Sequence, residues 1–464
     1  MPTHATSLSI PQLRAAVSGR VIVPDDAEYD EFRAVFIGSI DRRPAVIVRP
    51  ADAADVAHVV SLARETGMEL AVRGGGHSIP GFGTSEGGIV LDMSSMQTLE
   101  IDVEARTAWA EAGLTAGAYT AAAGPNGLAT GFGDTGVVGL GGLTLGGGIG
   151  FLSRKYGLTI DHLLAVDLVT ADGQLIRADA EHNPDLFWAL RGGGGNFGVA
   201  TRFQFRLHQV DSVVGGMLIL PASPETLAAF IAEAEAAPDE LSGIVNIMVA
   251  PPMPFLPDDV HGQLIMMGML CYAGPTDSGE RAVAPFRELT TPIADMIGPM
   301  RYPEIYRLTE EIPKPMYEAA RSVFLDSLDR DTAAALLDGL QAATAPMAVA
   351  QLRVLGGAIA RVPADATAYA HRDRRIMAAI GAVFESADES DVHEAWVVDV
   401  AKALRQGEPG VYINFVGDEG DARVREAYPD STWARLAAVK AQYDPTNLFR
   451  LNQNIPPAAS SQGG

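Results

Sequence analysis

Residues 73–78 read Arg-Gly-Gly-Gly-His-Ser, one histidine directly behind three glycines. The glycines strip a short run of backbone of its side chains, and the bare N–H groups can converge on an anion. A histidine at the lip of such a nest stands close to whatever the anion is attached to. That layout suits a phosphate-bearing cofactor bonded near its reactive end. The chain's 49 glycines are unevenly placed, with dense clusters at 73–88, 131–150 and 191–198. Clustered glycine with apolar spacers points to close backbone approach to a ligand.

The elements that must carry these loops are legible in outline. Residues 45–49 read as a strand, 52–66 as a helix and 69–72 as a second strand, a β-α-β start. Further strands are expected at 88–92, 107–112, 165–170, 174–178 and 199–207, with short helices at 115–123 and 185–190. The stretch 131–150 is too rich in glycine for a stable isolated helix and reads as loops and turns against a ligand. Beyond about residue 210 the character changes. Helical patterns are expected at 224–237, 332–343 and 368–386, and strands at 243–249, 263–271 and 349–355. From about 395 short strands and loops return. The expected division is 1–208, 209–395 and a C-terminal segment 396–464 that rejoins the first part.

Composition narrows the function. With 58 acidic against 34 basic side chains the net charge is −24, which disfavours nucleic acid and anionic membranes as partners. No uncharged apolar run is long enough to span a bilayer. The polar N-terminus has no secretory pattern, and Cys271 is the single cysteine, so a cytoplasmic location is expected. No P-loop lysine closes a glycine run, and the Rossmann fingerprint fails because Thr144 stands at its third position after Gly139. No His-Glu-x-x-His, cysteine pair or Gly-x-Ser-x-Gly occurs, so no metal site is expected.

Taken together, several motifs carry a resemblance. They are Arg73–Ser78 with Gly81-Phe-Gly83, Gly139-Leu-Gly-Gly142 with Gly146-Gly-Gly148, and Arg154-Lys-Tyr-Gly-Leu158 with Asp161. Then come Asp185 to Gly198 and the tail from Tyr443 to Arg450 with Asn452, Asn454 and Ile455. In order and spacing this resembles the FAD-linked oxidases of the vanillyl-alcohol oxidase type, within them the berberine-bridge-enzyme-like branch and bacterial 6-hydroxy-D-nicotine oxidase relatives. The resemblance implies an α+β protein: a bipartite FAD-binding domain of two α/β subdomains, and a substrate domain with an antiparallel sheet covered by helices.

It also implies roles. Arg73, Gly74, Gly75, Gly76, Ser78 and Gly81 would cradle FAD, and His77 would bond covalently to its 8α-methyl group. Relatives with a second link carry a cysteine where this chain has Thr135, so His77 is expected to be the only tether. Val138 resembles an oxygen gate; ordinary packing is the alternative. Gly139, Gly142, Gly146, Gly147, Tyr156, Val199, Asn452 and Asn454 are further cofactor-binding candidates, and Gly195, Asn196 and Gly198 would approach the cofactor beside Val199. Tyr156 could equally be a packing aromatic. Tyr412 and Asn414 are the catalytic candidates, read as one face of a strand, with Tyr412 as base if its pKa is lowered. Gln351 and Arg353 share a strand face that could roof the site; Tyr306, Glu310 and Glu311 are weaker candidates.

The implied reaction takes a hydride from a small organic substrate (alcohol, sugar, amine or natural product) to flavin N5, and O2 leaves as hydrogen peroxide. Rival readings are a dehydrogenase of the same fold using another acceptor, and a non-catalytic binding protein with structural FAD. Oligomeric state is not readable.

Overall fold

The computed structural model describes residues 8–253, 256–309 and 316–459. A four-stranded sheet opens the chain, in the order Arg20–Ile22, Val46–Arg49, Ile89–Asp92, Leu70–Arg73. Its last three strands are parallel. The crossover helix Ala53–Thr66 starts where the Asp52 carboxylate accepts the Ala54 and Asp55 N–H groups, and stops at left-handed Gly67. Its Val56, Val59, Val60 and Ala63 form the buried stripe that the 3.6-residue period requires.

A five-stranded antiparallel sheet follows, in the order Leu99–Asp102, Thr107–Glu111, Val199–Arg206, Leu163–Val169, Leu175–Asp179. The third sheet is antiparallel and, among the described residues, eight-stranded. Its main path runs Ala294–Asp295, Ser212–Pro221, Leu264–Tyr272, Leu241–Val249, Met347–Val354, Ile376–Phe384, Tyr317–Leu325. Helices Pro224–Ala236, Thr276–Glu288, Arg330–Gln341 and Ser390–Leu404 cover one face of it, sharing a core with Leu352, Ala378, Ile380 and Val323. By strand alternation the other face, with Gln351, Arg353, Ser322 and Glu318, turns toward the glycine loops. No described helix is long and apolar enough to cross a membrane.

Four local expectations are corrected. Residues 368–386 do not form a helix; the core is the strand Ile376–Phe384, laddered on both sides. All nine of its residues are non-polar, and an inner strand with apolar residues on both faces lacks the alternation that separates strand from helix. Within 131–150, Leu140–Gly146 is a short helix, stabilised by burying Leu140, Thr144 and Leu145 rather than by propensity. Beyond Phe384 the described residues hold helices Ser390–Leu404, Asp421–Glu426 and Asp430–Tyr443 and no strand. Tyr412 is extended, but Ile413–Phe415 is a 3-10 turn, so the strand fragment there is absent.

Candidate active site

The loop after Leu70–Arg73 and the residue before helix Leu140–Gly146 meet backbone to backbone. A Cβ on Gly75 would lie 2.5 Å from the Gly139 nitrogen, and one on Gly139 would lie 2.3 Å from the Gly75 nitrogen. Only glycine at both positions permits this contact. Nearby, Gly142 and Gly195 have no heavy atom within 4 Å of an added Cβ. Their bare faces open on a cavity of about 520 Å³. Its wall includes Arg73 through Ser78, Thr135, Val138, Gly139, Gly142, Gly194 to Asn196, Val199 and Asn452. Arg73 braces the loop from beneath. Its buried guanidinium donates to Asp92 at 3.0 Å and to the carbonyls of Phe32 and Ala34. The His77 ring stacks on Phe36 with centroids 4.4 Å apart, which fixes the imidazole plane at the cavity wall.

Tyr412 and Asn414 face this floor from the C-terminal segment. The Tyr412 hydroxyl oxygen accepts the Gly148 N–H at 2.7 Å and the Asn414 Nδ2 at 2.8 Å. Asn414 also donates to the Leu143 carbonyl at 3.0 Å. Burial pushes the Tyr412 pKa up to about 12, against the pull of those two donors and of Arg353. The lowered pKa expected of a base is therefore not present; Tyr412 rests as a phenol whose oxygen is engaged and whose proton is free to donate. Arg353 stands on the roof, 3% exposed, paired with Asp134 at 2.7 Å and stacked over Phe415. Beside it the Gln351 amide donates to Asn246 Oδ1 at 2.8 Å.

Five cofactor-binding candidates lie off the wall. Tyr156 stacks on His208, with centroids 4.0 Å apart, and is a packing aromatic. Gly81 closes a turn with Ser78 and lies against Ile40. Gly146 and Gly147 act one step back. A Cβ on Gly146 would lie 2.0 Å from Asn414 Oδ1, and one on Gly147 would lie 3.0 Å from the Tyr412 ring, so both make room for the catalytic candidates. The Asn454 Oδ1 is buried without a hydrogen-bond partner, away from the wall. Tyr306 is buried and bonds the Gly133 carbonyl; Glu310 and Glu311 lie outside the described residues. Cys271 is buried in the large sheet, its thiol pushed up to about 12 by burial, and it does not line the cavity.

Sequence reading passed over Phe36, Asp134 and Glu318, and named Gln351 and Arg353 without counting them as sites. Asp134 had a signal, its place inside a glycine cluster. Glu318 had none, because its strand was not recognised. Arg154 donates to the carbonyls of Leu355 (2.6 Å) and Ala237 (2.9 Å), and Lys155 to that of Ala273 (2.5 Å), tying the glycine region to the large sheet.

The residues present fit FAD. The glycine faces leave an open cradle for an elongated anionic group, and the Asn452 Oδ1 at its wall is buried with no partner. A family model described as "FAD binding domain" matches residues 44–179, and one described as "Berberine and berberine like" matches 411–456. These two stretches contain most of the glycine floor and the Tyr412–Asn414 pair. The chain is 32% identical to (R)-6-hydroxynicotine oxidase of Paenarthrobacter nicotinovorans, over 96% of this chain and 98% of that one. The crystal structure of 6-hydroxy-D-nicotine oxidase from Arthrobacter nicotinovorans superposes with a TM-score of 0.87 at 28% identity, covering 97% and 99% of the two chains. Glucooligosaccharide oxidase from Acremonium strictum, which holds a 6-S-cysteinyl, 8α-N1-histidyl FAD, shares the fold at 23% identity and a TM-score of 0.84, over 96% and 98%. The chain belongs to the berberine-bridge-enzyme-like FAD-linked oxidoreductases.

Proposed function

We propose that this enzyme is an oxidase of a small organic substrate, holding its FAD through a single covalent bond at His77. FAD, when bound, supplies a two-electron acceptor at N5 whose reduced form returns its electrons to O2 as hydrogen peroxide. The observation that carries the reading is convergence. One cavity brings together His77 from the glycine loop, Val138 and Thr135 from the second glycine cluster, and the Tyr412–Asn414 pair from the far end of the chain.

Each residue has a task in this reading. Phe36 holds the His77 ring for attachment. Thr135, where the doubly linked relatives place cysteine, leaves His77 as the sole tether. Val138, half-buried in the wall, is small enough to let O2 pass. As a phenol Tyr412 donates a hydrogen bond to the substrate's oxygen or nitrogen; as the phenolate, its own proton lost to solvent, it takes the proton that the substrate gives up when the hydride leaves. The Gly148 and Asn414 N–H groups stabilise that phenolate.

Acid precipitation is the direct test. Yellow colour should stay with the pellet, and mass spectrometry should place the adduct on the His77 peptide; colour in the supernatant refutes the covalent link. Reduced enzyme mixed with air should reoxidise rapidly with release of hydrogen peroxide. Slow reoxidation would assign the enzyme to the dehydrogenases instead.

A further inference from the structure

A guanidinium carries five N–H donors. In Arg353 only Nη2 has a hydrogen-bonded acceptor, Asp134 at 2.7 Å, while Nε and Nη1 are buried without a partner. A buried donor left unpaired is costly, and a cationic one more so. Part of this is met locally. Arg353 also borders a small cavity of about 10 Å³ shared with Ser242 and Arg154, room for one water. One water cannot satisfy four donors, and the same side chain lines the main cavity.

The surroundings suit an anion. Phe415 supports one face of the guanidinium plane, with its centroid 4.7 Å from the Arg353 Cζ. Register across the sheet sets what lies beside it. Arg353 is flanked by Ile244 and Met377, and one step along the strand Gln351 is flanked by Asn246 and Ala379. The register thus places apolar and small residues on the strands beside Arg353, with the Asp134 carboxylate as its hydrogen-bonded partner, and the neighbouring Gln351 amide is already committed to Asn246. Tyr412 lies within electrostatic reach, since Arg353 lowers its proton affinity.

We infer that Arg353 is the anion subsite of this active site, and that the substrate carries a carboxylate or comparable planar oxyanion, which Arg353 grips while Tyr412 faces the reacting carbon. The inference rests on the oxidase reading above and names its substrate class. A planar guanidinium fork matches a carboxylate by two parallel N–H···O bonds. The amine of a nicotine-type substrate would meet a cation here instead.

Benzoate and its neutral isostere benzamide are suitable probes, titrated into the holoenzyme and followed by the flavin difference spectrum. Benzoate should bind at least about tenfold tighter. Arg353→Met should abolish that preference while leaving benzamide binding and the flavin reduction potential unchanged. Asp134→Asn, which removes the carboxylate charge that competes for the guanidinium, should tighten benzoate. If Arg353→Met fails to fold, Arg353→Met with Asp134→Asn removes the pair without stranding a carboxylate, and it should show the same loss. Equal affinity for the two probes overturns the inference. So does a variant whose flavin potential falls while benzoate binding persists, because Arg353 would then serve the flavin. Purification without flavin would instead overturn the functional reading and is separable at the first spectrum.

Discussion

Lys440 is 0% exposed, and its ammonium holds three groups together. Nζ donates to Asp444 Oδ2 at 2.7 Å, to the Asn196 carbonyl at 2.7 Å and to the Phe449 carbonyl at 2.9 Å. Asp444 in turn accepts the Leu448 and Phe449 N–H groups at 2.7 and 2.9 Å. This cluster pins the Gly194–Asn196 turn and the 449–453 segment, both of which reach the cofactor cavity. Replacing Lys440 by Met removes the cation and leaves the fully buried Asp444 carboxylate without its counter-charge. Breaking a buried pair this way costs about 3–5 kcal/mol. Asp444→Asn together with Lys440→Met removes both charges and should cost less than Lys440→Met alone, leaving a coupling of about 1–3 kcal/mol in the double-mutant cycle. Chemical denaturation followed by tryptophan fluorescence measures this, with Trp433 on the same helix as reporter. The flavin-to-protein ratio of purified Lys440→Met should fall in parallel, since the turn it holds lines the cavity. A variant within about 1 kcal/mol of the parent, or an additive cycle, would refute the reasoning.

Three further outcomes are expected. Because Tyr412 sits at about 12, kcat/KM should climb about tenfold per pH unit between about pH 7 and 9 if its phenolate takes the substrate proton, and Tyr412→Phe should cost about 10²–10⁴-fold and lose that slope; a flat profile assigns the base elsewhere. Glu318, at the cavity wall, is raised by burial to about 7. Its folded pKa lies above its unfolded one, so stability is lost as pH rises from about 4.5 through 7. Glu318→Gln should therefore stabilise at pH 8 by at most about 3 kcal/mol and change nothing near pH 4, as thermal unfolding at the two pH values would show. The buried His162 and half-buried His208, hydrogen-bonded at 3.0 Å, have the opposite sign. Burial lowers them to about 4 and about 3, so their contribution is intact above pH 6.5 and is lost as pH falls below it. His208→Gln should flatten the acid limb of the stability profile between about pH 6.5 and 4; an unchanged limb would exclude the pair as its origin.

The floor of the site was legible because it is a local backbone requirement. Three glycines and a histidine in contiguous positions state, without reference to the rest of the chain, that backbone must approach a ligand there. The β-α-β start was legible for a similar reason, since the Asp52 cap and the valine stripe lie within fifteen residues. The helix expected over 368–386 went the other way. An inner strand with apolar residues on both faces carries no period to read, and its partners lie outside the window.

By itself, the sequence determined the cofactor class and placed a histidine, with threonine at 135, beside the glycine loops that wall the cavity. Tertiary structure alone decided the roof. Glu318, Gln351 and Arg353 come to one cavity wall only through the register of an antiparallel sheet whose strands are separated in sequence, with no local pattern marking which face meets the floor. It alone decided that Gly146 and Gly147 make room for Asn414 and Tyr412 rather than touch the cavity. It also shifted the Tyr412 pKa upward, because a pKa follows burial and neighbouring groups, and these include residues as far away in the chain as Gly148 and Arg353.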